Sequence, residues 1–146
     1  MKKIVFSIVL CVGFFISVFQ ANGQANFNVH ALEDFKKSLE SLITGDYDSA
    51  ILHSSNVIRR EPTSSVAYTV RARAYFEKGD MLHTIEDCTQ AISHDRNNVS
   101  AYSIRAHAYA KNGNMNRAVA DWKAVLRISP ENENAQHNIE LAGRVQ

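Results

Sequence analysis

Histidines, cysteines and opposite charges at fixed spacing are the residues of this chain that could do chemistry. The six histidines, His30, His53, His83, His94, His107 and His137, never stand three to five positions apart, the spacing that sets two metal ligands on one helical face. Neither HExxH nor CxxC occurs, and the phosphate-cradling GxxxxGK[ST] and the nucleophile elbow GxSxG are also missing. One small constellation is left for an enzyme, His107 and His137 with Asp121. Ordinary surface histidines are the simpler reading of it, and no catalysis, cofactor or metal is expected.

Arg71 with Asp87 and Arg105 with Asp121 are each 16 residues apart, which predicts a bridge between two antiparallel helices. The expectation is a structural ion pair at a packing edge rather than a ligand site, contributing about 0 to 1 kcal/mol where it is exposed. The two cysteines are Cys11, within an apolar N-terminal run, and Cys88, on an apolar helical face. Cys88 reads as buried filler rather than a reactive thiol.

What positions these residues is a repeat of 34 positions. Gly45-Asp46, Gly79-Asp80 and Gly113-Asn114 recur at that spacing, and so do Ala50, Thr84 and Ala118. The same step aligns Tyr68 with Tyr102, Arg71 with Arg105, Ala72 with Ala106 and Tyr75 with Tyr109, and two steps align Pro62 with Pro130, the middle copy having Arg96. Each glycine can take the left-handed conformation that ends one helix, and the Asp or Asn after it can cap the next. Small residues at Ser38, Ala72 and Ala106 let paired helices approach, while Tyr75, Tyr109 and Trp122 are expected to fill the space between layers.

This pattern resembles the tetratricopeptide repeat. Tyr102, Ala106, Tyr109, Ala118, Trp122 and Pro130 meet that family's motif, the second unit follows it with Cys88 in an aromatic place, and the first puts Asp34, Ser41 and Ser54 where aromatics are expected. The resemblance implies an all-α fold: three tandem helix-turn-helix units at 31–64, 65–98 and 99–132, forming a right-handed α-solenoid. A capping helix follows over 133–146, with Ala135, Ile139 and Ala142 as its apolar stripe.

It also implies a concave groove lined by the first helix of each unit. The residues expected there are Leu32, Phe35, Leu39 and Leu42, then Val66, Thr69, Arg73 and Phe76, then Ser103, His107 and Lys111. Phe35, Leu39 and Leu42 share one helical face, so they form either an exposed patch or part of the core. Charge runs the other way along the groove: the three units carry −2, −1 and +3. Relatives that grip a peptide's terminal carboxylate use Lys, Asn and Arg. The corresponding places here hold Phe35, Leu39, Thr69, Arg73 and Ser103, so that clamp is not expected.

Upstream, Lys2-Lys3, the uncharged run Ile4 to Phe19, and Ala21 with Gly23 read as a signal peptide over 1–23 cleaved after Gly23, followed by a linker over 24–30. Export to a periplasm or the exterior is expected, with an uncleaved membrane anchor as the second choice. Removing Lys2 and Lys3 leaves fourteen basic against fifteen acidic residues, a balance with no general attraction for nucleic acid. Asn98-Val99-Ser100 is a glycosylation sequon at an expected exposed turn. The function expected is therefore an exported, non-catalytic module binding a peptide or partner protein in its groove. The alternative is a structural subunit of a homo-oligomer or envelope complex, docking through its first helix.

Overall fold

A computed structural model describes residues 29–144; the leader read over 1–23 lies outside them. Seven helices follow in order: α1 (29–44), α2 (Tyr47–Arg60), α3 (Ser65–Lys78), α4 (Met81–His94), α5 (Val99–Lys111), α6 (Met115–Ile128) and α7 (Glu133–Arg144). No strand occurs among the described residues. Helix α1 begins by residue 29, inside the stretch read as a linker.

Each hairpin turns by one device. Gly45, Gly79 and Gly113 have φ of 80°, 84° and 74°, which leaves the following amide free to reach back over the helix end. Asp46 N donates to the Ser41 carbonyl at 2.9 Å, Asp80 N to Tyr75 at 2.9 Å, and Asn114 N to Tyr109 at 2.8 Å. With the glycine amides bonded one position further along, this is the Schellman closure. The same Asp46, Asp80 and Asn114 then accept from the amides of Ser49, His83 and Arg117. One residue thus ends one helix and starts the next, which is why the turn fits into two positions. Between hairpins the caps are Ser64, Asn98 and Asn132, bonding Ala67, Ala101 and Ala135, again in steps of 34.

Small residues form the contact surfaces. Ser38, Ala50, Ala72, Thr84, Ala106 and Ala118 are fully buried; α3 lies close on α4 and α5 on α6, and side-chain bonds from Asp34 tie α1 to α2. Trp122 and Val125 form the last core layer with Ala106 and Ala118, covered by Ala135 and Ala142 of α7 with Ile139 beside them. Tyr75 and Tyr109 are half-buried, and Tyr109 packs against this last core layer as expected. Tyr75 stacks on His83 of its own hairpin, and Tyr109 has the Arg117 guanidinium over its ring.

The arginine bridges are more deeply seated than an exposed pair at a packing edge. Arg71 grips Asp87 with two nitrogens, at 2.7 and 2.8 Å, and its third donates to Ser55 Oγ of the preceding hairpin at 3.0 Å. Arg105 repeats this on Asp121 at 2.8 and 2.8 Å and on Thr89 Oγ1 at 3.0 Å. Asp87 and Asp121 are 5% and 6% exposed, so each arginine ties three helices at a site from which water is largely excluded. The first hairpin cannot repeat the device, because Lys37 and His53 stand where the arginine and aspartate would be. Instead Asp34, at an aromatic position of the repeat, accepts from His53, Asn56 and Arg60 of α2.

Candidate functional site

The first helices α1, α3 and α5 line one side of the stack, and α3 touches both α4 and α5. Helix α1 buries Ala31 and Ser38, and that choice of face decides what Phe35, Leu39 and Leu42 do. They are not core: Phe35 and Leu42 are half-buried, and Leu39 is 36% exposed. Leu32 and Val66 are more open, at 69% and 55%.

Two clefts follow from this. The first, about 300 Å³, lies between α1 and the start of α3 and is lined by Ala31, Leu32, Phe35, Val57 and Val66, with Glu61 and Ser64 at its edge. The second, about 430 Å³, has Leu42 of α1, Thr69, Val70 and Arg73 of α3, Val99, Ser100, Ser103 and Ile104 of α5, and Asn132 at the start of α7. Val70 and Ile104 are buried and belong to its floor. Thus Leu32, Phe35 and Val66 meet in one cleft, and Leu42, Thr69, Arg73 and Ser103 in the other.

Phe76, His107 and Lys111 make a third group. The Phe76 and His107 rings meet edge to face at 6.5 Å, and Lys111 Nζ lies 4.3 Å from the Phe76 centroid. His107 also meets the Trp122 ring edge-on at 5.7 Å, while its Nδ1 lies 2.7 Å from the Ser103 carbonyl. No hydrogen bond or ring contact joins His107 to His137, so the constellation with Asp121 does not assemble; the Asp121 carboxylate is taken by Arg105. Among the described residues no group of three or more His, Cys, Asp or Glu is placed to hold a metal ion.

Sequence reasoning missed Asn132 and Trp122 as neighbours of the groove. Asn132 had a signal, since it stands 34 positions after Asn98 and 68 after Ser64. Trp122 had none, because only its size carries it from α6 to the edge of His107. Asn98 itself corrects an expectation. Far from projecting at an exposed turn, it is half-buried, caps α5 through Oδ1, and donates from Nδ2 to Ser65 Oγ and Thr69 Oγ1 at 2.8 and 2.9 Å. Every polar atom of the sequon amide is engaged.

Electrostatics follow from these contacts. Burial works against ionisation of Asp34, but the donors His53, Asn56 and Arg60 outweigh it and hold the carboxyl below its ordinary value. Burial pushes the Cys88 thiol up to about 12, so it stays protonated and inert, as its apolar helical face implied. His83 is raised by its bond to Asp80.

A family profile described as "Tetratricopeptide repeat" matches residues 99–132, the hairpin whose Tyr, Ala, Trp and Pro fit best. The first TPR of Spaghetti (RPAP3), solved bound to the HSP90 peptide SRMEEVD, superposes with a TM-score of 0.76 at 28% identity, over 79% of this chain and 91% of that one. The fold is that of a tetratricopeptide-repeat domain. Mouse sperm-associated antigen 1 is 31% identical over 103 residues, 70% of this chain and 11% of that protein. Stress-induced-phosphoprotein 1 of Caenorhabditis elegans is 32% identical over 109 residues, 75% of this chain and 34% of that protein. The chain therefore spans about a third or less of the length of these curated relatives.

Proposed function

We propose that this chain is a non-catalytic module that binds a peptide segment of another protein along the α1–α3–α5 face. The observation that carries this reading is the pair of clefts. A stretch of apolar side chains on α1 stays half-exposed or open although the same helix has a complete buried face of Ala31 and Ser38. An unsatisfied apolar strip beside a polar cleft is the usual form of a peptide-binding groove. A similar fold solved with a bound peptide supports it further. Export, to a periplasm or the exterior, is part of the proposal and rests on the N-terminal residues Lys2-Lys3, the apolar run and Ala21 with Gly23.

The test couples crosslinking to stability. A photoreactive group placed at Ser103 should capture partner protein from the native compartment, and Leu39→Ser should reduce that capture while leaving the thermal midpoint within about 2 °C. Capture unaffected by Leu39→Ser and by Val66→Ser, in proteins that melt normally, would exclude this face. N-terminal sequencing of the exported protein checks the leader: a start near Gln24 is expected, and recovery of Met1 in membranes would refute cleavage.

A further inference from the structure

Resting on that reading, we infer that the groove takes an internal segment of its partner, apolar where it lies on α1 and acidic where it reaches α5, and does not grip a chain terminus. The apolar half comes from Leu32, Phe35 and Val66, which leave a cleft of about 300 Å³, room for a large aliphatic or aromatic side chain. The polar half comes from charge and donors. The second cleft is lined by Thr69, Arg73, Ser100, Ser103 and Asn132 with no carboxylate among them. Arg73 uses only Nε, toward Glu77 Oε1 at 2.8 Å, so its terminal nitrogens have donors to spare. Lys111 adds positive charge beyond it, in the hairpin whose net charge is +3.

A terminal carboxylate needs more than this. Stripping water from that group requires several charged or amide donors converging on one point. Here the guanidinium is shared with Glu77, the Lys111 ammonium lies over the Phe76 ring, and the α1 side of the cleft is Leu42. One carboxylate side chain can be held at the rim of such a cleft while the chain runs on toward Leu39 and Phe35. Because α1 supplies residues to both clefts, a single extended or helical segment can occupy the two together.

Binding of synthetic peptides separates these statements, with groove amide shifts in nuclear magnetic resonance as the readout. The probes are a peptide of about twelve residues with leucines followed by glutamates, blocked at both ends, the same peptide with lysines for the glutamates, and SRMEEVD as free acid and as amide. The blocked acidic peptide should bind about tenfold more tightly than the lysine version, and Arg73→Glu should abolish that preference. Leu39→Ser and Val66→Ser should each weaken it about fivefold or more. The free acid and the amide of SRMEEVD should agree within about twofold. A free acid about tenfold tighter than its amide, or equal binding of the acidic and basic peptides at the groove, would overturn this inference while leaving peptide binding intact. If none of the peptides shifts amides of α1, α3 or α5, the peptide-groove reading falls as well.

Discussion

Arg105→Met leaves the Asp121 carboxylate 6% exposed with no counter-ion, and removes the donor that holds Thr89 of the preceding hairpin. A buried charge deprived of its partner costs about 3 kcal/mol or more, well above the value of a surface pair, so the denaturant midpoint should fall sharply. An unchanged midpoint would mean that the bridge is solvated after all. Asp34 is a second case, with a sign that depends on pH. Its carboxyl titrates below the ordinary value in the folded chain, so its stabilisation is complete above the unfolded value near about 4 and is lost as pH falls through the lower folded value. Asp34→Asn should therefore destabilise at pH 7 by about 1 to 2 kcal/mol, and the gap to the parent protein should close in strong acid. Equal differences at both ends of the pH range would show that the amide's shape, not the charge, is responsible. These two networks were only half legible beforehand. The 16-residue spacing revealed the arginine bridge, but neither its burial nor its third contact, because depth depends on the neighbouring hairpin. The cluster around Asp34 followed no repeated spacing at all.

At the scale of the helix and its turn, the glycine geometry makes the strongest claim. Gly113 has φ of 74°, and a Cβ there would meet no atom within 4 Å, so any penalty for Gly113→Val is conformational rather than steric crowding by neighbours. Ala106 is the opposite case: it is fully buried between α5 and α6, and Ala106→Leu must push those helices apart. Both substitutions should cost roughly 1 to 4 kcal/mol in denaturant melts. Gly113→Asn, which tolerates the left-handed region, should recover much of the valine loss. If asparagine is no better than valine, the turn has another constraint. The turns were the most readable part of the sequence, since each is a local device whose residues, Gly followed by Asp or Asn, do the same work in every copy.

For the molecule as a whole, stability resides in stacking, because each hairpin buries little by itself. Helix α7 covers Trp122 and Val125 with Ala135, Ile139 and Ala142, and ending the chain after Asn132 would open that layer to water. The thermal midpoint should then drop by about 10 °C or more, with Trp122 emission shifting to the red before global unfolding. Retention of the full midpoint would mean that α7 is ornamental to the stack. The Cys88 thiol offers an independent clock: held protonated and fully buried, it should react with a thiol reagent at neutral pH only as fast as the stack opens.

The recurrence of Gly45, Gly79 and Gly113 with Ala50, Thr84 and Ala118 was enough, read along the chain, to determine helical hairpins and their stacking. These features are set by backbone angles and side-chain size, which act within a few residues or within one repeat. The surface of the groove was legible as a set of positions, Phe35, Leu39, Thr69, Arg73, Ser103 and His107 among them, but not as a shape. Whether the α1 stripe would be core or surface turned on which face α1 turns inward, and that face is the one carrying the small residues Ala31 and Ser38. The fate of Asn98, which caps α5 but is taken up by Ser65 and Thr69 of α3, likewise needed two hairpins in register, and the pairing of Trp122 with His107 needed α6 folded back on α5. A one-dimensional repeat carries its own period, but contacts between unlike residues of successive copies exist only once the copies are stacked.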